Sequence, residues 1–288
     1  MTNPLTLEEA AALAQSRGLR RVDESAGLWQ YLRESWRLRH FTWNYALSRT
    51  IVSTVENNLG LLWEVLNPIL LSAVYYLAFG VLLGTRGDSP DFIIFLIAGV
   101  FTWQLIGQSI VVSSNSLVNT RDLSDSLLFP RMLIPIAASI QSLLRSIPSL
   151  LLLYPIGLVA GMPLRWEWLL LPFAFLLTSL FGLGVGLFAS RAISAVKDLA
   201  QIVPIIMRAG MFVSGVFYSV DKRFADAPEV LRAIAHYNPL ALLLDCTRAV
   251  FMPYAAPTAQ QFGYLLTLTV ALLAGGVIVF WRSERLHG

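Results

Sequence analysis

Two arginines stand where a charge is costly. Arg145 and Arg208 lie inside long apolar runs, Leu133–Val159 and Ile202–Tyr218. At the centre of a bilayer an arginine costs from ~2.5–3.5 to more than ~10 kcal/mol, depending on the measure, so each needs a carboxylate, a water-lined path or an anionic ligand. A guanidinium makes paired, charge-assisted hydrogen bonds to an anionic ligand. A buried ion pair satisfies the charge as well, and both readings stay open for each arginine. Tyr75, Tyr76, Phe79, Trp103, Phe212, Phe217 and Tyr218 occur in the apolar runs. Such rings can line a substrate path, although the same residues also serve as ordinary core or interfacial belt.

Other chemistry is missing. No Gly-x-x-x-x-Gly-Lys-Ser/Thr loop occurs, and Lys197 and Lys222 are the only lysines, so the chain does not cradle ATP phosphates in that way. There is no His-Glu-x-x-His, and the apolar runs lack the clustered carboxylates of a membrane hydrolase or glycosyltransferase. The one cysteine, Cys246, rules out an internal disulfide and a cysteine metal cluster. No catalytic or metal-ligating residue is assigned. Work must come from a partner or a gradient.

The elements that position these residues are membrane helices. The 288 residues are 56% hydrophobic and 14% charged, with a mean hydropathy of +0.64, outside the balance of a soluble domain. Apolar runs at Leu61–Leu83, Phe92–Val112, Leu133–Val159, Leu169–Ala189, Ile202–Tyr218 and Phe262–Trp281 each come near the ~17–25 residues a spanning helix needs. The expected fold is therefore an all-α integral membrane protein with six transmembrane helices. Six spans put both termini on one side. Arg17, Arg20, Arg21, Arg33, Arg37, Arg39, Arg49, Arg121, Arg131, Arg191, Lys197, Arg282 and Arg285 share that face, against Arg86, Arg165, Lys222, Arg223, Arg232 and Arg248 on the other. The positive-inside rule makes the richer face cytosolic, N-in and C-in. The net charge of +3 is thus a matter of topology, and its scattered residues are no nucleic-acid footprint.

Residues 1–27 read as a cytosolic extension, with a capping box at Thr6–Glu9 and a helix closed by Gly18. Residues 28–58 hold an amphipathic helix and a connector. Trp29, Tyr31, Leu32 and Trp36 fall on one half of the wheel and Arg33, Arg37 and His40 on the other, which suits a helix lying among lipid headgroups. Residues 59–282 form the transmembrane domain and 283–288 a cytosolic tail. Within the domain, residues 113–135 are a polar island carrying Asn119, Arg121, Asp122, Asp125, Phe129 and Arg131. Asn119 can cap a short helix there, Asp122 favours its first turn, and Pro130 stops it. Gly182, Gly186 and Ser190 make a small-residue stripe for close helix contact. Residues 220–257 contain two pieces too short to span, divided at Asn238-Pro239, which read as re-entrant or interfacial helices and a candidate external gate.

Several motifs taken together resemble a known family. Leu59-Gly60-Leu61-Leu62-Trp63 with Asn67-Pro68, Asn115-Ser116-Leu117-Val118-Asn119 with Phe129-Pro130-Arg131 and Pro135, and Tyr237-Asn238-Pro239-Leu240 with Arg248 are similar to the permease subunits of type-2 ABC exporters for polysaccharides, of the Wzm and TarG kind. The similarity covers roughly residues 28–281 in order. It implies a homodimer in the bacterial inner membrane bound to two copies of a separate ATP-binding subunit, which holds the ATP and Mg. It also implies a polyprenyl-diphosphate-linked glycan as cargo: O-antigen, a teichoic acid or a galactan. On this likeness Arg33, Arg37, Asn119, Arg121, Asp122, Asp125, Phe129 and Arg131 couple to the ATPase. Tyr237, Asn238, Pro239 and Arg248 form the external gate, and Arg145, Arg208, Tyr75, Tyr76, Trp103, Phe212 and Tyr218 line the path. Where relatives often have lysines before Phe-Pro-Arg and Glu after it, this chain has Asp122, Asp125 and Met132, which implies a partner groove of different charge. The same architecture exporting a drug or another lipid, a polyprenyl-phosphate-handling enzyme and a passive channel are the competing readings.

Overall fold

Helix length and apolarity set the architecture. The computed structural model describes residues 27–55, 60, 62–82, 91–120, 129–224 and 226–287, so the expected helix at Thr6–Gly18 and Arg121, Asp122 and Asp125 lie outside the described residues. α1 (Leu28–Arg37) turns at Leu38 into α2 (Arg39–Val55). α3 (Leu62–Tyr75) carries Pro68 and widens into π-helical turns over Tyr76–Leu82. The long helices α4 (Phe92–Asn119) and α5 (Leu133–Val159) follow, then a 3₁₀ turn at Trp166–Leu170 leading into α6 (Leu171–Ala195). Next come α7 (Leu199–Val213), α8 (Val220–Arg223), α9 (Glu229–His236), α10 (Pro239–Phe251) and α11 (Ala259–His287).

α4 is the central post, packed against α3, α5, α6, α7 and α10. Lipid tails are as apolar as leucine, so hydrophobicity alone does not bring such helices together; close packing and hydrogen bonds do. Here the small-residue stripe expected on α6 does this work. A Cβ at Gly182 would fall 2.5 Å from Ser109 Cβ, and one at Gly186 equally close to Ser113 Cβ. Neither residue can be larger without parting α4 from α6. Beside this seam the buried hydroxyls of Ser109, Ser139 and Ser179 stand 3.2–3.4 Å apart and join α4, α5 and α6.

Local signals explain the helix ends on the far side. Asn238 Oδ1 accepts from the Leu240 N–H at 3.1 Å and Pro239 takes the first helical position, so α9 ends and α10 begins where the Asn-Pro pair stands. α11 opens on a capping box: Gln261 Oε1 accepts from the Thr258 N–H at 2.8 Å, and the Gln261 N–H returns to Thr258 Oγ1 at 3.3 Å.

Two boundaries differ from expectation. Among the described residues five helices are long and apolar enough to cross a membrane: Leu62–Leu82, Phe92–Asn119, Leu133–Val159, Trp166–Ala195 and Ala259–Arg285. The run taken as a fifth span, Ile202–Tyr218, holds α7, a helix of 15 residues, about 22 Å long against a hydrocarbon core of about 30 Å. Helix α7 stops because Gly215 adopts φ +81°, where a Cβ would meet Val220 Cγ2 at 2.5 Å. Hydropathy continues through this turn although the helix does not. The polar island also begins later than expected, since Ser113–Asn119 complete α4. Ser116 and Thr120 return their hydroxyls to backbone carbonyls one turn earlier, at 2.7 Å each, so low hydropathy here marks a self-satisfied helix end.

Candidate functional site: two ends and a central pair

At 28 residues, α4 separates the two ends of the bundle by about 42 Å. At the end where α4 finishes, Tyr31 and Ser35 are the buried face of α1, while Trp29 and Trp36 are 78% and 68% exposed. Arg39, which falls on the apolar half of the wheel, stacks over the Trp36 ring at 5.2 Å. The Tyr31 hydroxyl donates to Glu284 Oε1 at 2.9 Å, and the Arg131 backbone N–H donates to the same oxygen at 2.8 Å. One carboxylate oxygen therefore ties α1, the Phe129–Met132 turn and the last turn of α11. Burial and the Glu284 carboxylate push the Tyr31 phenol above its ordinary range, so it stays a donor. Phe129 meets the Phe41 ring edge-on at 5.7 Å, which fastens the turn to α2 as well. Arg33, Arg37, Asn119 and Arg131 are exposed around this junction.

Within the bundle Arg145 has found its partner. Its Nε donates to Glu64 Oε1 at 2.7 Å and its Nη2 bonds the same oxygen. Gln108 Nε2 approaches Glu64 Oε2 at 3.5 Å, and Ser149 Oγ donates to the Glu64 carbonyl at 2.8 Å. Arg145 therefore joins α5 to α3, the ion-pair alternative of the two left open. Arg208 differs: it lies on the exposed side of α7 beside Ile205 and Phe212, with no ion pair among the described residues. Trp103 is only 6% exposed and packs under α7 at Gly210, so in the protomer it is core. The other expected path aromatics gather round Phe217. Phe79 stacks on it at 4.3 Å, Tyr75 meets it edge-on at 4.7 Å, and Phe212 lies at 5.5 Å. The Tyr218 hydroxyl donates to the Phe212 carbonyl at 3.0 Å, while Tyr76 turns toward Phe92 instead.

At the opposite end Arg248, expected at a gate, is 1% exposed. Its Nη2 donates to the Gly215 and Val216 carbonyls at 3.0 and 2.9 Å, Nε to the Phe95 carbonyl at 3.3 Å, and Nη1 to Asp245 Oδ1 at 3.2 Å. The guanidinium carbon stands 3.5 Å from the centroid of the Phe95 ring. Arg248 thus clamps α10, α4 and the turn after α7 together. Gly99 leaves room for it, since a Cβ there would be 2.7 Å from Nη2. Tyr237 meets Tyr264 of α11 edge-on at 5.4 Å. Beside the clamp lies a cavity of about 510 Å³. Glu64, Glu284 and Gln261 were not singled out from the sequence as partners. The Thr258-x-x-Gln261 spacing could have identified the last; the two glutamates find their partners only through long-range folding.

Residues 43–252 match the sequence profile of the ABC-2 type transporters. An O-antigen export system permease protein RfbA of Myxococcus xanthus is 26% identical over 223 residues, covering 77% of this chain and 84% of the relative. Two Klebsiella pneumoniae proteins of the same description are 29% and 27% identical over 196 and 195 residues, each covering 67% of this chain and 73% of the relative. The long apolar helices are those of a multi-pass protein of the bacterial inner membrane, and the chain belongs to the ABC-2 type transporter family, whose members in such export systems are permease subunits served by a partner ATPase.

Proposed function

We propose that this chain is the membrane subunit of an ATP-driven exporter that carries a polyprenyl-diphosphate-linked polysaccharide, of O-antigen, teichoic acid or galactan type, from the cytosolic to the outer leaflet. The likeness to relatives described as O-antigen export permeases, over two thirds or more of the chain, carries this reading. Both termini face the cytosol in it. The short α7 makes the sixth crossing with the turn that follows, and α8–α10 lie at the outer surface. Two copies of the chain meet two copies of an ATP-binding subunit. The exposed α7 face, with Ile205, Ile206 and Phe212 around Arg208, turns toward the second copy rather than to lipid, which removes the cost of placing Arg208 in hydrocarbon.

The partner pushes on the Phe129–Met132 turn and on Arg33 and Arg37. Because Glu284 holds this turn and α1 on a single oxygen, the push reaches α11 and, through α11, the α9–α10 region. Arg208 meets the diphosphate, and the aromatics around Phe217 meet the sugars. The test is depletion of the chain in its source bacterium. Lipid-linked glycan should accumulate on the cytosolic leaflet, and the purified chain should retain a subunit that contains a phosphate-binding loop. Normal surface glycan after depletion, with loss of drug or lipid efflux instead, overturns the cargo.

A further inference from the structure

The cavity beside Arg248 belongs to no part of the coupling junction or the arginine pair, and its walls come from the start of α4, the turn after α7, α8, the α9–α10 segment, the turn after α10 and the start of α11. All of these lie at the end opposite Tyr31. Its volume of about 510 Å³ falls within the roughly 300–1,000 Å³ of small-molecule sites. The lining mixes ring faces with planar polar groups: Phe217 and Tyr254 beside Asp245, His236, Arg223 and Ser219.

The polar groups are held in place. Arg248 bonds Asp245 Oδ1 at 3.2 Å and is itself fixed by three backbone carbonyls. Gln261 donates to the His236 carbonyl at 3.1 Å, with its Nε2 also 3.0 Å from His236 Nε2, so the capping box of α11 locks the last residue of α9 at the cavity wall. A carboxylate, an imidazole, a guanidinium and a hydroxyl around aromatic faces supply donors and acceptors of both kinds. A carboxylate, an imidazole and a hydroxyl can each take more bonds than the ones described. A purely apolar ligand would use only the ring faces, and a compact anion would meet the Asp245 carboxylate and leave the rings unused, whereas a ligand with ring C–H faces and vicinal hydroxyls meets both the rings and the polar groups. Phe217 is also a wall that this cavity shares with the Tyr75–Phe79–Phe212 cluster, so the cavity continues the aromatic track.

We infer that this cavity is a carbohydrate-binding site that holds a short stretch of the glycan as it leaves the aromatic track. The inference rests on the exporter reading above. The full chain in nanodiscs is titrated with short oligosaccharides made by acid hydrolysis of the source bacterium's surface polysaccharide, and binding is read by saturation-transfer NMR. Transfer is expected to the sugar C–H protons, and to be at least about tenfold weaker for Tyr254→Ala and for Ala256→Trp, which puts an indole into the cavity. Tyr254→Phe keeps the ring face and should bind, as should Trp166→Ala, which removes an exposed ring elsewhere. Circular dichroism and size-exclusion profiles like the wild type confirm that the variants are folded. Absence of transfer to the wild type, or equal transfer to the wild type and Ala256→Trp, overturns the site. When depletion still traps lipid-linked glycan inside, that result leaves the exporter reading standing; normal surface glycan after depletion removes the exporter reading first.

Discussion

The two ends of this bundle are fastened by opposite means. At one, a single Glu284 oxygen accepts from Tyr31 and from the Arg131 backbone, two bonds that hold three elements. At the other, Arg248 donates to three carbonyls and a carboxylate while stacked on Phe95, fully buried. A joint of two hydrogen bonds to one half-buried carboxylate can be broken at a cost of a few kcal/mol. A clamp whose removal takes the donor from several buried acceptors cannot. The difference makes the Tyr31 joint the easier of the two to open.

Breaking the clamp should have the largest effect. Arg248→Ala removes the donor to three buried carbonyls and breaks the pair with Asp245, and should destabilise the protein by about 3–5 kcal/mol, seen as loss of folded protein after detergent extraction and in thermal unfolding followed by circular dichroism. Gly99→Ala presses on the same guanidinium from α4 and should cost about 1–3 kcal/mol by the same measurement. An Arg248→Ala variant of unchanged melting temperature would refute the clamp.

Arg208 sharpens the contrast from another side. Arg208→Gln should leave the melting temperature within about a degree, because an exposed residue without an ion pair adds little to stability, yet lower glycan export in reconstituted vesicles about tenfold or more if a charge-assisted contact to the diphosphate is lost. Arg145→Gln should do the reverse: it leaves Glu64 uncompensated in a half-buried site and should cost about 2–4 kcal/mol, and Arg145→Gln with Glu64→Gln should recover most of it. Export undiminished in a folded Arg208→Gln protein removes that residue from the path.

A loss of stability smaller than those at Arg248 and Arg145 is expected at the junction. Tyr31→Phe removes one hydrogen bond to a carboxylate and should cost only about 1–2 kcal/mol, a fall of a few degrees in melting temperature. ATP hydrolysed per glycan exported should nonetheless rise, because α1 no longer moves with α11. An unchanged ratio would make the junction a passive contact.

Much of this was legible in the residues, and the misses share one cause. The break at Asn238-Pro239, the Gly182–Gly186 seam and the exposed tryptophans of α1 follow from rules that act within a few residues: a missing N–H, a missing Cβ, a helical period. The fifth span was overextended because apolar composition carries no record of the backbone turn at Gly215. Family likeness alone places Arg248 at the outer gate, and its burial could not be read there, because only folding brings the carbonyls of residues 215 and 216 to it.

The amino-acid sequence by itself determined that this is a helical membrane protein without a nucleotide site of its own, because hydropathy, charge placement and the absence of a phosphate loop are properties of residues and their spacing. It also determined that Arg145 needs a partner. Which partner it takes, which arginine stays exposed and which one locks the bundle were decided only by the tertiary structure. The bonds that Arg145, Arg248 and Glu284 make between elements join residues 32 to 253 positions apart, and no local pattern encodes which distant group will arrive.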